Sequence, residues 1–231
     1  MRKKTRPAFR TEPWHPRAWQ VQSLLLAYPD DAFAENLALA ERAARTLPRP
    51  VAEPLLRFTA HAARTARPAP GRPPGTAPAD LAAAYVTTFD HRKRCCPYLT
   101  YYAYGDTRKR GLGLVRLKQT YAAAGWRLAD DELPDHLAVV LEFAAADPGT
   151  GSRLLTEHRA GLELLRLALT DDHAPWAHVL DSVSATLPAL AGDDRDAVAR
   201  LAAEGPPEEQ VGLDPYAPPQ FLPDPVAGGP R

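Results

Sequence analysis

At 231 residues the chain can hold one domain with a substantial core, or two small ones. Lysine plus arginine equals aspartate plus glutamate, 28 of each, so no overall field recruits nucleic acid or an anionic membrane. Alanine and leucine dominate and isoleucine is absent, which favours helix over sheet, and the apolar runs fall far short of the ~20 residues of a membrane span.

Residues 1–13 read as a basic extension. Met1 to Pro7 resembles the charged start of a signal peptide, but no apolar segment follows it. A soluble, cytoplasmic protein without stable membrane association is expected. A first helix spans Trp14 to Ala27, with Trp19, Leu24, Leu25 and Leu26 as its apolar surface. Tyr28-Pro-Asp30 breaks it, and the aspartate caps a second helix to about Thr46. A third runs from Val51 to Thr65, and residues 68–78, five of them proline, form an extended linker. The fourth helix, Asp80 to Phe89, places Leu81, Tyr85 and Phe89 at i+4 intervals. After the aromatic stretch Pro97 to Tyr104, Gly105-Asp-Thr107 caps a long helix that reaches Ala124 and stops at Gly125. Asp147-Pro-Gly149 turns the chain, and further helices cover Ser152–Ala168, Ala174–Thr186 and Asp194–Ala203. Residues 205–231 are proline-rich and lack periodicity, as a disordered tail does. The expected fold is all-α: a bundle of about eight to ten helices within residues 14–204.

The two cysteines, Cys95 and Cys96, are adjacent and followed by proline, a pattern unlike the Cys-x2-Cys of zinc or redox sites. They read as reduced thiols at the edge of a core, the alternative being a soft-metal site completed by His91. Asp90-His-Arg-Lys-Arg94 and the turn Gly105 to Gly111 are basic, with Tyr98, Tyr101, Tyr102 and Tyr104 between them. Basic residues interleaved with aromatics can bind single-stranded nucleic acid. The zero net charge and the helical spacing of the tyrosines favour a solvated loop instead. No phosphate-binding loop, dinucleotide fingerprint, nucleophile elbow or His-Glu-x-x-His occurs, so no enzyme is expected.

The segment Glu132 to Phe143 is the most informative. Leu137, Val140, Leu141 and Ala144 fall at i, i+3, i+4 and i+7, so one helix face is apolar. Pro134 suits a first helical turn, which would put Asp135 and His136 in that turn beside the apolar stripe. A carboxylate and an imidazole there suit a partner that is both cationic and apolar. The alternative is that Asp135 only offsets the helix dipole, worth about 0.3–1 kcal/mol, with His136 solvated.

Four blocks in order carry a resemblance: Tyr85-Val-Thr-Thr-Phe-Asp90, Arg94-Cys-Cys-Pro-Tyr-Leu-Thr-Tyr-Tyr102, Gly105-Asp-Thr-Arg-Lys-Arg-Gly111 and Glu132-Leu-Pro-Asp-His-Leu137. Across about Ser23 to Asp147 the chain resembles the molybdenum cofactor assembly chaperones of respiratory nitrate reductase. These are also called its delta subunits, and they belong to the all-helical redox-enzyme maturation chaperones. The resemblance implies a private chaperone that holds no cofactor stably. It would bind the N-terminal peptide of the nitrate reductase catalytic (alpha) subunit. It would keep the apo-enzyme competent for insertion of the molybdenum cofactor, a bis-pyranopterin guanine dinucleotide, and restrain early membrane docking. Leu137, Val140, Leu141, Tyr101 and Tyr102 would form an apolar groove for an amphipathic client helix. Asp135 would pair with a client arginine or lysine and His136 would add a hydrogen bond. Asp135→Ala is then expected to weaken peptide binding without unfolding the bundle. Arg108 and Arg110 match the family's arginine-rich turn, with a client-binding or a structural role. A vicinal-thiol metal protein or a nucleic-acid-binding helical protein are the rival readings.

Overall fold

Helix is what the alanine- and leucine-rich periodicities produce. The computed structural model describes residues 10–65, 79–129 and 132–207. Among them eleven α-helices follow one another: α1 (His15–Leu26), α2 (Phe33–Ala44), α3 (Arg49–Thr65), α4 (Ala79–Phe89), α5 (Leu99–Tyr104), α6 (Arg108–Ala123), α7 (Leu137–Ala146), α8 (Pro148–Glu157), α9 (Arg159–Asp171), α10 (Ala177–Ala185) and α11 (Gly192–Glu204). A short 3-10 turn, Lys93–Cys95, precedes α5. Most of the basic N-terminal extension, the proline-rich linker at 68–78 and the tail from residue 208 on lie outside the described residues.

The architecture is all-α, as composition and periodicity imply, with more helices than the sequence suggests. Two local effects account for the excess. The aromatic stretch after Pro97 closes a helix of its own, α5, ended by Gly105 at φ 59°. Asp147-Pro-Gly149 does not merely turn the chain: Pro148 is the first residue of α8, where its missing N–H costs nothing, and the Asp147 carboxylate caps it by accepting from Thr150 N at 3.0 Å. The helix expected over Ser152–Ala168 is therefore two, α8 and α9, meeting at His158.

One continuous core runs through the bundle. α1 lies along α7, α10 along α3, and α9 joins α10 to α11. Trp19, Phe58, Tyr121, Phe143 and Trp176 are its largest fully buried side chains. At ~25 cal/mol per Å2 of apolar surface, burying each aromatic ring supplies several kcal/mol, far more than any surface ion pair here. Buried polar side chains tie the pairs together. Ser23 Oγ donates to Ala138 O at 2.8 Å, linking α1 to α7. Gln22 Nε2 donates to Ser182 Oγ at 2.9 Å, and Ser182 in turn donates to Val51 O at 2.9 Å, so one relay spans α1, α10 and α3. Gly151 lets α8 approach α7 closely, since a Cβ there would stand 2.2 Å from Ala144 Cα. No helix among the described residues is long and apolar enough to cross a membrane.

Candidate functional site

Three of the conspicuous sequence blocks meet at one carboxylate. Pro97–Leu99 runs antiparallel to Asp135–Leu137: Leu99 N donates to Asp135 O and Leu137 N to Pro97 O, both at 2.9 Å, making an isolated bridge between Tyr98 and His136. Tyr121 Oη donates to Pro134 O at 2.6 Å from α6. These bonds hold residues 134–136 outside the helix, correcting the expectation that Asp135 and His136 share its first turn. His136 is instead the N-cap of α7, its Nδ1 accepting from Ala138 N at 3.3 Å.

Asp135 is fully buried. Its Oδ2 accepts from Thr100 Oγ1 and from Arg110 Nη2, the latter at 3.4 Å. Arg110 also reaches Asp106 at 3.5 Å and stands over the Tyr98 ring, 5.5 Å from its centroid. Oδ1 has no hydrogen-bond partner among the described residues. The carboxylate thus acts inward, on the loop that presents Tyr98 and His136.

Those two residues border a groove of about 520 Å3, with Leu24, Tyr28, Tyr85 and Val139 as further apolar walls. Tyr28 and Leu133 are large exposed apolar side chains at its edge, and Glu132 and Glu142 bring two carboxylates. The aromatic walls brace one another: Tyr98 meets the His136 ring edge-on at 5.3 Å, and Tyr28 meets Tyr85 the same way at 5.5 Å. Tyr85 Oη donates to Leu26 O at 3.1 Å and lies 3.4 Å from His136 Nε2. With Nδ1 occupied as the cap acceptor, His136 fits as the neutral Nε2–H tautomer, donating to the Tyr85 oxygen. Burial lowers the His136 pKa below the ordinary histidine value, against the pull of Asp135 and Asp90. Partial desolvation, then the nearby Glu132, raises the Glu142 carboxyl.

The other residues singled out in the sequence go elsewhere. Leu137, Val140 and Leu141 are fully buried in the core. Tyr101 and Tyr102 border a second groove, of about 540 Å3, with α9 and α11. Tyr102 is buried there, donating to Cys96 O at 2.9 Å, and a Cβ on Gly161 would stand 2.7 Å from its Cβ and 2.9 Å from its ring. Arg108 is exposed at the start of α6. Sequence reasoning missed Tyr28, Tyr85, Tyr98, Leu133, Val139, Glu132 and Glu142 as a group. Tyr85, Tyr98, Glu132 and Leu133 do sit in the conspicuous blocks, and Tyr28 lies two residues beyond the end of α1, which was the available signal.

The basic loop before α5 is largely neutralised. Arg92 pairs with Asp172 at 2.7 Å, Arg94 pairs with its other oxygen, and the Cys95 thiol donates to the same carboxylate at 3.4 Å. Burial raises both thiols, Cys96 to about 11, which favours their protonated form. Among the described residues no three His, Cys, Asp or Glu side chains converge as a metal site.

Residues 45–181 match the family model described as the nitrate reductase delta subunit. The chain is 37% identical over 174 residues to the nitrate reductase-like protein NarX of Mycobacterium tuberculosis (strain H37Rv), covering 75% of this chain but only 24% of that protein. The chain therefore spans about a quarter of that relative's length. It is 32% identical over 170 residues to the probable nitrate reductase molybdenum cofactor assembly chaperone NarJ of Bacillus subtilis (strain 168), covering 71% of this chain and 85% of that one. In fold, an Archaeoglobus fulgidus protein described as a redox enzyme maturation protein superposes with a TM-score of 0.52 at 22% identity, over 79% of this chain and 98% of the other. The extent of the family match and the Bacillus relative, covered over most of its length, agree with the order of the sequence blocks, and the chain belongs to the nitrate reductase delta subunit family.

Proposed function

We propose that this chain is an assembly chaperone for a nitrate reductase. It acts in the cytoplasm and binds the N-terminal peptide of the catalytic subunit. In doing so it keeps the apo-enzyme open for molybdenum cofactor insertion and delays its assembly at the membrane. The observation that carries the reading is the groove at His136, apolar and tyrosine-walled with Glu132 and Glu142 beside it, in a chain of this family. An amphipathic peptide with a basic end needs those two features together. Its apolar residues would pack on Tyr28, Tyr85, Tyr98 and Leu133, and its arginine or lysine would meet the two glutamates. The His136 imidazole, half-buried and with both nitrogens engaged by Ala138 N and the Tyr85 hydroxyl, would offer a client its ring beside Tyr98. Asp135 contributes by position: through Thr100 and Arg110 it fixes the loop that carries Tyr98 and His136. Leu137, Val140 and Leu141 serve as the packed core behind the groove, while Tyr101, Tyr102 and Arg108 lie outside it. The molybdenum cofactor is cargo of the client, no residue of this chain is assigned to hold it, and no catalytic step is assigned to the chain.

The deciding experiment is isothermal titration of the full chain with a synthetic peptide from the catalytic subunit's N-terminus, beside a scrambled peptide of the same composition. Saturable binding of the native peptide alone, lost in Glu142→Lys with an unchanged circular dichroism spectrum, is the expected result. Equal binding of both peptides, or of neither, would remove this client from the reading.

A further inference from the structure

Seven histidines are scattered through the sequence, yet the fold gathers three of them on one cavity of about 600 Å3. His61 comes from α3, His173 from the turn after α9 and His178 from α10, and Arg57 and Arg64 of α3 line the same cavity. None of these residues borders the groove at His136. The lining carboxylate, Asp181, is already engaged by Arg166 at 3.1 Å and lies 4.0 Å from His178. Arg57 pairs with Glu53 at 2.7 Å, whereas Arg64 pairs with no carboxylate among the described residues. Groups able to carry positive charge therefore outnumber their counter-charges here, in a chain whose net charge is zero. The crowding is felt within the cluster: besides burial, Arg64 and His178 both lower the pKa of His61.

A second observation comes from the backbone. His173 is at φ 52°, and among the described residues it is the one non-glycine in the left-handed region. It ends α9 where Ala174 N reaches back to Leu169 O at 2.9 Å and His173 N to Thr170 O at 3.0 Å, a closure in which glycine is the usual residue. Histidine there carries a conformational cost that glycine would not, and that cost places an imidazole at the cavity. The three histidines do not converge tightly enough to ligate a metal. They line the cavity beside two guanidinium groups, whose planar forks match phosphate oxygens.

We propose that His61, His173 and His178, with Arg57 and Arg64, form a binding site for a small phosphorylated anion carrying two or more negative charges. The two arginines supply permanent charge, and the imidazoles add donors and charge as they protonate. The other charged groups facing them are Glu53 on α3, Asp181 on α10 and, through Asp181, Arg166 on α9. A bound anion favours the charged form of an imidazole, so affinity should be greater at about pH 6 than at about pH 8.

The test is titration calorimetry of the full chain with inorganic pyrophosphate at constant ionic strength, at both pH values, with ADP and sulfate in parallel. Saturable pyrophosphate binding is expected, weakened about tenfold or more in Arg64→Gln, a loss of about 1.4 kcal/mol. Its pH dependence should flatten in His61→Gln and His178→Gln, which separates imidazole protonation from that of the ligand. His173→Gly should bind more weakly yet melt at a higher temperature, opposite movements that a merely structural histidine would not give. Tighter binding of ADP than of pyrophosphate would support the site and name a nucleotide as its source, while the reverse order would support it for free phosphates. Sulfate binding as well as pyrophosphate, no saturation at millimolar ligand, or full affinity in Arg64→Gln would each overturn the proposal.

Discussion

His136 does two things with one neutral imidazole: Nδ1 caps α7 and Nε2 faces the Tyr85 hydroxyl in the groove. The two roles separate by substitution. Losing a cap costs about 1 kcal/mol, so His136→Ala should lower stability by roughly that amount and also weaken client binding. Asparagine caps well, so His136→Asn should keep the stability and lose the binding, a split that denaturant melts and peptide titration would reveal. The same imidazole sets a pH dependence. Its native pKa is depressed, so the unfolded chain binds the extra proton first as pH falls. The stability it contributes is complete above the ordinary histidine pKa of about 6.5 and is lost as pH drops through the lower native value. His158 and His61 are depressed by burial too and act in the same direction. Glu142, with a raised pKa, acts the opposite way: its contribution is complete below the ordinary carboxylate value and is lost as pH rises through the native one. Thermal melts between about pH 7.5 and pH 5 should therefore show falling stability, with a shallower slope in His136→Asn.

Among the elements, α9 and α10 are joined by a buried charge network. Glu163 forms an ion pair with Arg159 at 2.9 Å and accepts from Arg166 at 2.8 Å and from Ser184 at 2.7 Å, with the Glu163 and Arg159 side chains only 3% and 7% exposed. Burial alone would raise the Glu163 carboxyl, but Ser184 and the two arginines outweigh it and hold it low. Arg166 retains Asp181 when Glu163 is removed, whereas Arg159 is left buried with a charge, so Glu163→Ala should cost about 3–5 kcal/mol in urea unfolding. Gly151→Ala should cost about 1–3 kcal/mol, because its added methyl meets the backbone of α7 rather than a yielding side chain. The helices themselves were legible, since a 3.6-residue periodicity is a local property of sequence. The destination of Asp135 was not. Its partners Thr100 and Arg110 lie 35 and 25 positions away, and no periodicity reports that an acid beside a helix start will be buried by them. Asp135→Ala therefore acts on the fold as well as on binding, at a cost of about 1–3 kcal/mol for the broken charged hydrogen bonds. Leu137, Val140 and Leu141 were legible as an apolar face, but an apolar stripe reads the same whether it meets a client or, as here, the core.

Over the whole molecule the zero net charge conceals a separation: Glu132 and Glu142 stand at one groove, while Arg57 and Arg64 line another cavity. Exposed rim charges govern encounter more than residence. Glu132→Gln with Glu142→Gln should thus slow association of a basic client peptide and reduce its salt sensitivity, with dissociation little changed, as stopped-flow fluorescence would measure. One further consequence concerns the bridge between Tyr98 and His136. Its two amide protons, on Leu99 and Leu137, are held by single bonds that knit together segments far apart in the chain. Their hydrogen–deuterium exchange is a clock for that seam, and an occupant of the groove should slow both amides together while leaving the amides of α11 unchanged.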